Sequence, residues 1–299
     1  MPSTPAHHLP RRPLLLPGVR VVRQDDRHLR VGLGPRAVVL PDEPSARALL
    51  AASTGGRTLV DWDEPTLRHG HRLAAAGLLM DGDDYAAAQR AGRRAGLTEQ
   101  LVAGIVTRAA GEAGLRRRLA GSVVLDVPDG WGEPLTALLR AEGLRLAGKG
   151  DRPAVRLVGC PTEPRRSTLD PLVRVDEPHL LLRLVEGRVT VGPFVVPGIT
   201  ACLRCVDAHL ADRDPRRPVV LEQYADPDCG RSLPDPVSPS LLALGWAAAV
   251  QDLVTWVEGD RPSSWSATLE VAEGLALTRT LWTRHPHCGC AWGAVLAAG

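Results

Sequence analysis

Two closely spaced cysteine pairs carry the most clearly defined chemistry in this sequence. Cys202 and Cys205 form a Cys-x-x-Cys pair, and Cys288 and Cys290 form a Cys-x-Cys pair. Zinc prefers four soft ligands in tetrahedral geometry, and a short turn between two cysteines presents two thiolates to one ion. We therefore predict that the two pairs hold one zinc ion. A site closed by four thiolates leaves no position for water or substrate, so this zinc is expected to be structural.

Other arrangements of the cysteines are compatible with the sequence. The two pairs could form disulfides or remain free thiols, and His285 or His287 could replace Cys290 as a ligand. Cys160 and Cys229 have no close cysteine partner, and we interpret them as an ordinary buried thiol and a loop thiol. The zinc prediction thus requires a fold that brings the two pairs together.

Composition is that of an ordinary globular chain. The 299 residues are 44% hydrophobic and carry a formal net charge of +2, enough apolar material for a full core. The small net charge argues against a nucleic-acid partner. No signal-peptide pattern is present. The longest apolar run, residues 241–257, is interrupted by Gln251 and Asp252, and we interpret it as a buried or dimer-facing helix. We expect a cytoplasmic protein with no membrane partner.

The N-terminal part of the sequence predicts a small domain of strands followed by helices. Three segments alternate apolar and polar side chains as strands do: residues 19–23, 28–33 and 36–40. Helical patterns follow at residues 43–53 and 64–76. This order is typical of a winged-helix domain, which we place at residues 1–84. The alternative is that the segment begins one continuous α+β domain.

Residues 85–120 are rich in alanine and arginine with interspersed glycines, and we predict a helical connector there. A different pattern starts at residue 121, where the predicted second domain, residues 121–299, begins. It contains a strand at residues 122–127, a turn, and a helix at residues 133–142. Two further strands follow at residues 144–147 and 155–158. Strand, helix and strand at this spacing predict a parallel α/β unit.

Later segments of this domain are less regular. Strand patterns at residues 179–184 and 188–191 lead to the first cysteine pair. Residues 207–236 are rich in aspartate and proline, and we predict that most of this segment is a long loop.

The turn after the first strand of this α/β unit lacks the composition of a nucleotide-binding loop. Such loops are rich in glycine and offer backbone N–H groups to phosphate at a helix N-terminus. Here residues 127–134 read Val-Pro-Asp-Gly-Trp-Gly-Glu-Pro. Trp131 is bulky, Pro134 lacks an N–H group, and Asp129 and Glu133 place negative charge where phosphates would lie. We predict a degenerate Rossmann-like domain that does not bind ATP.

An alternative is that basic residues on other loops contact phosphate; the candidates are Lys149, Arg152, Arg165 and Arg166. No His-Glu-x-x-His or Gly-x-Ser-x-Gly motif occurs in the sequence. His69 and His71 lie in a polar helical segment, and we predict that both are exposed rather than ligands. No set of catalytic residues is predicted.

The segments around both cysteine pairs resemble the ThiF-like partner proteins of azole and azoline biosynthesis. The matching segments are residues 191–215 and the His-Pro-His-Cys-Gly-Cys sequence that ends at Cys290. Proteins of that family bind the leader of a ribosomal precursor peptide and work with a YcaO-type cyclodehydratase in the biosynthesis of RiPPs, bacteriocins among them. The resemblance implies an adenylyltransferase-like α/β fold, a homodimer, and a structural zinc held by Cys202, Cys205, Cys288 and Cys290.

The resemblance also implies that the N-terminal domain is a RiPP recognition element. The leader would add as a strand at the edge formed by residues 36–40, with the helix at residues 64–76 as the other wall. Arginines would pair with acidic leader residues and apolar side chains would hold apolar ones. The implied contacts are Arg36, Val38, Leu40, Leu67, Arg68, Arg72 and Leu73. The alternative is that these apolar residues belong to the domain core.

The resemblance therefore implies a non-catalytic scaffold that presents a precursor peptide to a cyclodehydratase. The composition of residues 127–134 favours this interpretation over adenylation. The first alternative is an ATP-dependent adenylyltransferase that acts on a peptide or a carrier-protein C-terminus. The second is a winged-helix DNA-binding regulator, against which the small net charge and the few polar residues of the helix at residues 64–76 argue.

Overall fold

The computed structural model describes residues 9–55, 62–108, 111–148, 150–226 and 235–290. The chain divides into two compact units, Met1–Leu115 and Arg116–Gly299. The predicted domain limits at residues 84 and 120 stay predictions, and each unit is described by itself.

The first unit contains two small antiparallel sheets. Its strands are β1 (Pro13–Leu15), β2 (Val21–Arg23), β3 (His28–Val31), β4 (Val38–Pro41) and β5 (Leu79–Asp81). Its helices are α1 (Pro44–Gly55), α2 (Glu64–Ala75), α3 (Gly82–Arg94) and α4 (Glu99–Val106), and α5 (Gly111–Ala120) continues into the second unit. One sheet has the order β2-β3-β4, and the other pairs β1 with β5. The three predicted strands and both predicted helices are confirmed to within a few residues, whereas the pairing of β1 was not predicted.

The core of the first unit lies between the three-stranded sheet and α1 and α2. Leu40 from β4 is fully buried there, together with Leu49 and Leu73 from the two helices. Helix α2 is capped by Asp63, the residue before its first turn, whose side chain accepts a hydrogen bond of 2.9 Å from the Thr66 backbone N–H. This cap satisfies a backbone donor that the first turn of a helix otherwise leaves unpaired.

The register of β3 and β4 decides which backbone groups of β4 face outward. The ladder begins with a 2.7 Å hydrogen bond from the Asp42 N–H to the Arg27 carbonyl, and these two residues are directly opposite each other. Hydrogen-bonded pairs alternate with non-bonded pairs along an antiparallel ladder. Leu40 and Val38 therefore bond to β3, whereas the N–H and C=O of Val39 face the other edge of β4. Among the described residues no further strand pairs with this edge, which we call the free edge.

The second unit is a mixed sheet with helices on both faces. Its strands are β6 (Ser122–Asp126), β7 (Arg145–Leu146), β8 (Val155–Cys160), β9 (His179–Val185), β10 (Arg188–Val195), β11 (Ala267–Val271) and β12 (Leu277–Leu281), with a short 3-10 helix at Glu273–Leu275. Its α-helices are α6 (Gly132–Ala141), α7 (Arg166–Arg174), α8 (Leu203–Ala211), α9 (Arg217–Tyr224) and α10 (Pro239–Glu258).

The sheet order is β12-β11-β10-β9-β8-β6-β7. Strands β7, β6, β8 and β9 are parallel, and β9 to β12 are antiparallel. Alternate residues of β8 face opposite cores: Leu157 packs in the core that contains α6 and α10, and Val158 packs against α7 and α8. The predicted parallel α/β unit is confirmed.

The prediction of a long loop over residues 207–236 is wrong for the parts that form α8 and α9. Prolines and aspartates suggested turns, but Pro218 lies in the first turn of α9, where proline is well tolerated. Residues 227–234 lie outside the described residues. Helix α7 was not predicted, since it contains Pro171, a residue that normally signals the end of a helix.

By length and composition, α10 is the one helix of the described residues that is apolar enough to cross a membrane. It begins at Ser238, whose hydroxyl accepts a hydrogen bond from the Leu241 N–H, and ends at Gly259 in a left-handed conformation. The helix packs on the sheet so closely that a Cβ at Gly245 would lie 2.2 Å from Val189. The prediction of a buried helix is confirmed, and the cytoplasmic location stays a prediction.

Candidate functional site

The fold brings the two cysteine pairs together. Cys202 directly precedes α8 and Cys205 lies in its first turn, while Cys288 and Cys290 lie in the turn region after β12. The Sγ atoms of Cys202 and Cys288 are 3.4 Å apart, and those of Cys205 and Cys290 are 3.5 Å apart. All four Sγ atoms lie within 4.8 Å of one another.

These distances fit a tetrahedral metal site. Four sulfurs at about 2.3 Å from one zinc ion are about 3.8 Å from each other, and Cys202 and Cys205 are 3.8 Å apart. All four thiols are free, so the disulfide alternative is wrong. His285 does not replace Cys290, because its Nε2 lies 3.2 Å from Asp212 Oδ2 instead. The cluster is compatible with a structural zinc ion.

Hydrogen bonds among the four thiols shift their pKa values in opposite directions. The hydrogen bond from Cys202, followed by those from Cys288 and Cys290, lowers the pKa of the Cys205 thiol. Hydrogen bonds to Cys205 and Cys288 raise the pKa of Cys202, since its proton bridges neighbouring sulfurs. Release of the remaining protons therefore requires a cation that compensates the added charge, and this is what a bound metal ion supplies.

The turn between β6 and α6 is tight, and the space beside it is filled by the Trp131 side chain. Trp131 donates its backbone N–H to the Pro128 carbonyl at 3.1 Å, and Gly130 takes the left-handed conformation at φ +83° that such a turn requires. Trp131 is buried, and a Cβ at Gly159 on the neighbouring strand β8 would lie 3.0 Å from its ring. An indole ring thus fills the space beside the carboxyl end of β8.

A buried ion-pair network lies at the carboxyl end of β8 and includes Arg183 of the neighbouring strand β9. Arg166 Nε lies 2.6 Å from Asp207, and its Nη2 lies 2.6 Å from Glu163. Glu163 also accepts a hydrogen bond of 2.7 Å from Arg183. Arg165 pairs with Asp226 at 3.1 Å. Two of the basic residues considered for phosphate contacts are therefore already paired with carboxylates. No sequence pattern indicated the role of Glu163.

The predicted peptide-binding residues fall into three groups by exposure. Leu40 and Leu73 are fully buried in the core of the first unit, as the alternative interpretation expected, while Val38 and Leu67 are half-buried. Arg36, Arg68 and Arg72 are exposed. Arg68 lies 3.6 Å from Glu64 on the same helix.

Arg72 contacts the free edge of β4 directly. Its Nη2 donates a hydrogen bond of 2.8 Å to the Val39 carbonyl, the acceptor that faces away from β3. Pro41 has no N–H, and its carbonyl accepts a hydrogen bond from Glu43. Val39 is therefore the position of β4 that offers an outward N–H donor to another strand.

His69 corrects one prediction. Its neighbour His71 is exposed as expected, but the His69 side chain is buried and its Nε2 lies 2.6 Å from Glu43 Oε1. This hydrogen bond lowers the pKa of Glu43. The prediction failed because the carboxylate that partners the buried imidazole lies on a distant part of the chain.

Comparisons with known proteins place this fold among solved structures. No protein-family model matches the chain, and a search of curated proteins finds no match. The heterocyclase TruD is similar over 94% of this chain and 43% of its own, with a TM-score of 0.71 and 17% identity. A heterocyclase in complex with substrate and cofactor is similar over 93% of this chain and 39% of its own, with a TM-score of 0.65 and 18% identity. The chain spans about two fifths of the length of these heterocyclases.

A second kind of structure matches along its whole length. E. coli MccB, solved with AMPCPP and MccA, is similar over 93% of this chain and 99% of its own, with a TM-score of 0.64 and 10% identity. The complex of E. coli MccB with succinimide gives a TM-score of 0.63 and 11% identity, over 94% and 99% of the two chains. At these identities the likeness shows the fold. The mixed α/β fold with a parallel sheet, expected from the resemblance to ThiF-like proteins, is confirmed.

Proposed function

We propose that this chain is a non-catalytic scaffold that binds the leader of a ribosomal precursor peptide. It presents the peptide to a YcaO-type cyclodehydratase for azoline and azole formation. The observation that carries the proposal is the free edge of β4 beside α2. An extended peptide that adds to such an edge gains backbone hydrogen bonds, and pockets for its alternate side chains give selectivity.

The hydrogen bonds at this edge define how a peptide would add. Val39 offers one N–H and one C=O to an incoming strand, and Arg72 holds the C=O in the free chain. A peptide N–H that bonds to Val39 takes the place of the Arg72 guanidinium. The displaced guanidinium then lies beside the bound peptide and pairs with an acidic side chain.

Charge at the edge favours an acidic leader. Within the part of the chain that the structure describes, Arg36 and Arg72 make no ion pair with a carboxylate. Arg68 shares Glu64 at 3.6 Å, where both side chains are exposed and the pair is weak. We propose that these arginines and the half-buried Val38 and Leu67 contact the leader, and that the β2-β3-β4 sheet with α1 and α2 forms a winged-helix-like recognition element.

We also propose that Cys202, Cys205, Cys288 and Cys290 hold a structural zinc ion. When bound, the ion supplies a cross-link between the start of α8 and the segment after β12. Four thiolates leave no open position on the metal, so this centre stabilises the second unit and takes no part in a reaction.

The turn from Pro128 to Trp131 supports the absence of nucleotide chemistry. An indole ring fills the space beside β8, and Glu133 places a carboxylate in the first turn of α6. A helix N-terminus that binds phosphate needs open N–H groups and no competing anion. We therefore propose that the cyclodehydratase, and not this chain, binds ATP.

The comparisons are consistent with a peptide partner. One MccB structure contains MccA, and one heterocyclase was solved with its substrate. This chain covers about two fifths of each heterocyclase, so we propose that a separate protein supplies the remaining function. A homodimer is proposed from the family resemblance.

The experiment that tests the proposal is reconstitution. Genes beside the one that encodes this chain are examined for a YcaO-type protein and a short open reading frame rich in Cys, Ser and Thr. Both products and this chain are then purified, and mass spectrometry follows the loss of water from the peptide. We expect dehydration only when the chain, the YcaO-type protein and ATP are all present. Equal dehydration without this chain would overturn the proposal.

A second candidate function is adenylation of a peptide or carrier-protein C-terminus. The full-length match to MccB, which was solved with AMPCPP, favours it. Pyrophosphate exchange separates the two candidates. Exchange that depends on the peptide, catalysed by the purified chain alone, supports adenylation and contradicts the scaffold. No exchange is expected because Trp131 fills the turn.

A further inference from the structure

A second group of metal-ligating side chains lies next to the four cysteines. His209 and Asp212 belong to α8 and its C-terminal cap, and His285 precedes Cys288. The donor atoms of these three side chains all lie within 4.8 Å of one another. We propose that His209, Asp212 and His285 form a second zinc site, built from nitrogen and oxygen donors and separate from the thiolate site.

Helical spacing explains why the two groups are neighbours. Residues three and four apart share one face of a helix, and Cys205, His209 and Asp212 follow this spacing along α8. The segment after β12 crosses this face. It supplies His285 to one group and Cys288 and Cys290 to the other. The same two segments that bring the thiols together therefore bring the histidines and the carboxylate together.

The local geometry directs donor atoms toward one point. His285 Nδ1 accepts a hydrogen bond of 3.2 Å from the His287 N–H, so the neutral ring carries its proton on Nε2 and donates it to Asp212 Oδ2 at 3.2 Å. Zinc binding at Nε2 would move this proton to Nδ1 and release the His287 N–H. The His285 side chain is only 7% exposed. Two ligands of one zinc ion at about 2.1 Å lie about 3.4 Å apart, so this pair already has the required separation.

His209 completes the donor set. Its ring lies 4.8 Å from the His285 ring, centroid to centroid, at an interplanar angle of 84°. Its Nε2 lies 2.9 Å from the Thr283 carbonyl and 3.1 Å from the Thr283 hydroxyl oxygen. Zinc binding would require the His209 imidazole to exchange this contact with Thr283 for the ion. Two histidines and a carboxylate are a donor set that zinc adopts in proteins.

The competing explanation is a metal-free clasp in which the same contacts are only hydrogen bonds. Substitution of Asp212 separates the two. Its side chain is 64% exposed, so Asp212→Asn removes the ligand charge without a buried polar loss. His287→Ala is the matched control, because His287 is an exposed histidine two residues from His285 and outside the group.

The experiment measures zinc per chain on the purified full-length protein by mass spectrometry of the metal, after dialysis against buffer with a low, fixed Zn²⁺ concentration. We expect two zinc ions in the wild type and in His287→Ala, and one in Asp212→Asn and in His209→Asn. One zinc in the wild type, or two in both Asp212→Asn and His209→Asn, would overturn the proposal.

Cobalt substitution provides a readout that does not depend on stoichiometry alone. Co²⁺ bound by thiolates has intense charge-transfer absorption, whereas Co²⁺ bound by nitrogen and oxygen does not. We expect a second equivalent of Co²⁺ to bind wild-type protein without further thiolate absorption, and not to bind Asp212→Asn. If no such second equivalent binds the wild type, the metal-free clasp is correct. Both results are independent of peptide binding.

Discussion

Replacement of Val39 by proline tests the strand-addition proposal at one backbone atom. The N–H of Val39 faces the free edge of β4, whereas the N–H groups of its neighbours Val38 and Leu40 bond to β3. Proline at Val39 therefore deletes the donor offered to the peptide and leaves the internal ladder intact. Its ring also occupies the space that the incoming strand needs.

The expected loss follows from the bond removed. A net hydrogen bond contributes about 1 kcal/mol, and a peptide carbonyl left unpaired at the edge costs about 1 to 3 kcal/mol. Since 1.4 kcal/mol is a factor of ten in affinity, Val39→Pro is expected to weaken leader binding about 5- to 150-fold. The assay is fluorescence anisotropy with a labelled leader peptide from the neighbouring precursor gene.

Val21→Pro is the matched control. Val21 is the same residue type on β2, at the opposite edge of the same sheet, and its N–H also faces outward because the Arg20 and Val22 positions bond to β3. We expect its affinity for the leader to stay within about twofold of the wild type, a difference below about 0.5 kcal/mol. Equal weakening by both substitutions, or unchanged binding in Val39→Pro with its circular dichroism preserved, would refute addition at β4.

Three further predictions concern the second unit. Arg118 is fully buried, with Glu258 at 2.6 Å and Glu142 at 2.9 Å. Arg118→Ala is expected to lower the free energy of unfolding in urea by about 3–5 kcal/mol, because it removes one partner of a buried ion pair. The control Arg145→Ala breaks an exposed pair and should cost less than about 1 kcal/mol. Trp131→Ala is expected to cost about 3–5 kcal/mol through the cavity it leaves, and equilibrium dialysis with ATP should still detect no binding, since Glu133 remains. The zinc affinity of the thiolate site can be measured by chelator competition at pH 6 and pH 8. It should be weaker at pH 6, because the raised pKa values of Cys202 and Cys290 keep protons on the sulfurs until metal displaces them. Equal affinity at both pH values would contradict thiolate ligation.

Features that depend on neighbouring residues could be predicted from the sequence. Alternating side chains located β2, β3 and β4, and the run that forms α10 begins with a Ser-Pro helix start. The two cysteine pairs were predictable because each Cys-x-x-Cys or Cys-x-Cys turn is local. Their meeting requires the whole fold, and the distances between their sulfurs come only from the structure.

Features that depend on distant partners were not predictable. The buried His69 finds its carboxylate at Glu43, and Glu163 finds Arg183, across long stretches of sequence. Leu40 and Leu73 show a second reason. An apolar side chain on a strand or helix serves a core and a binding groove equally well, so the pattern that predicts its burial does not say what covers it. The Arg72 contact with the edge of β4 has no sequence signal either.

The most direct test of the scaffold proposal is the affinity of the purified chain for separate leader and core peptides of the neighbouring precursor, measured by anisotropy without ATP. We expect saturable binding of the leader with the same affinity as the full precursor, and no binding of the core. Binding of the core but not the leader, or binding of neither by zinc-loaded protein, would contradict it.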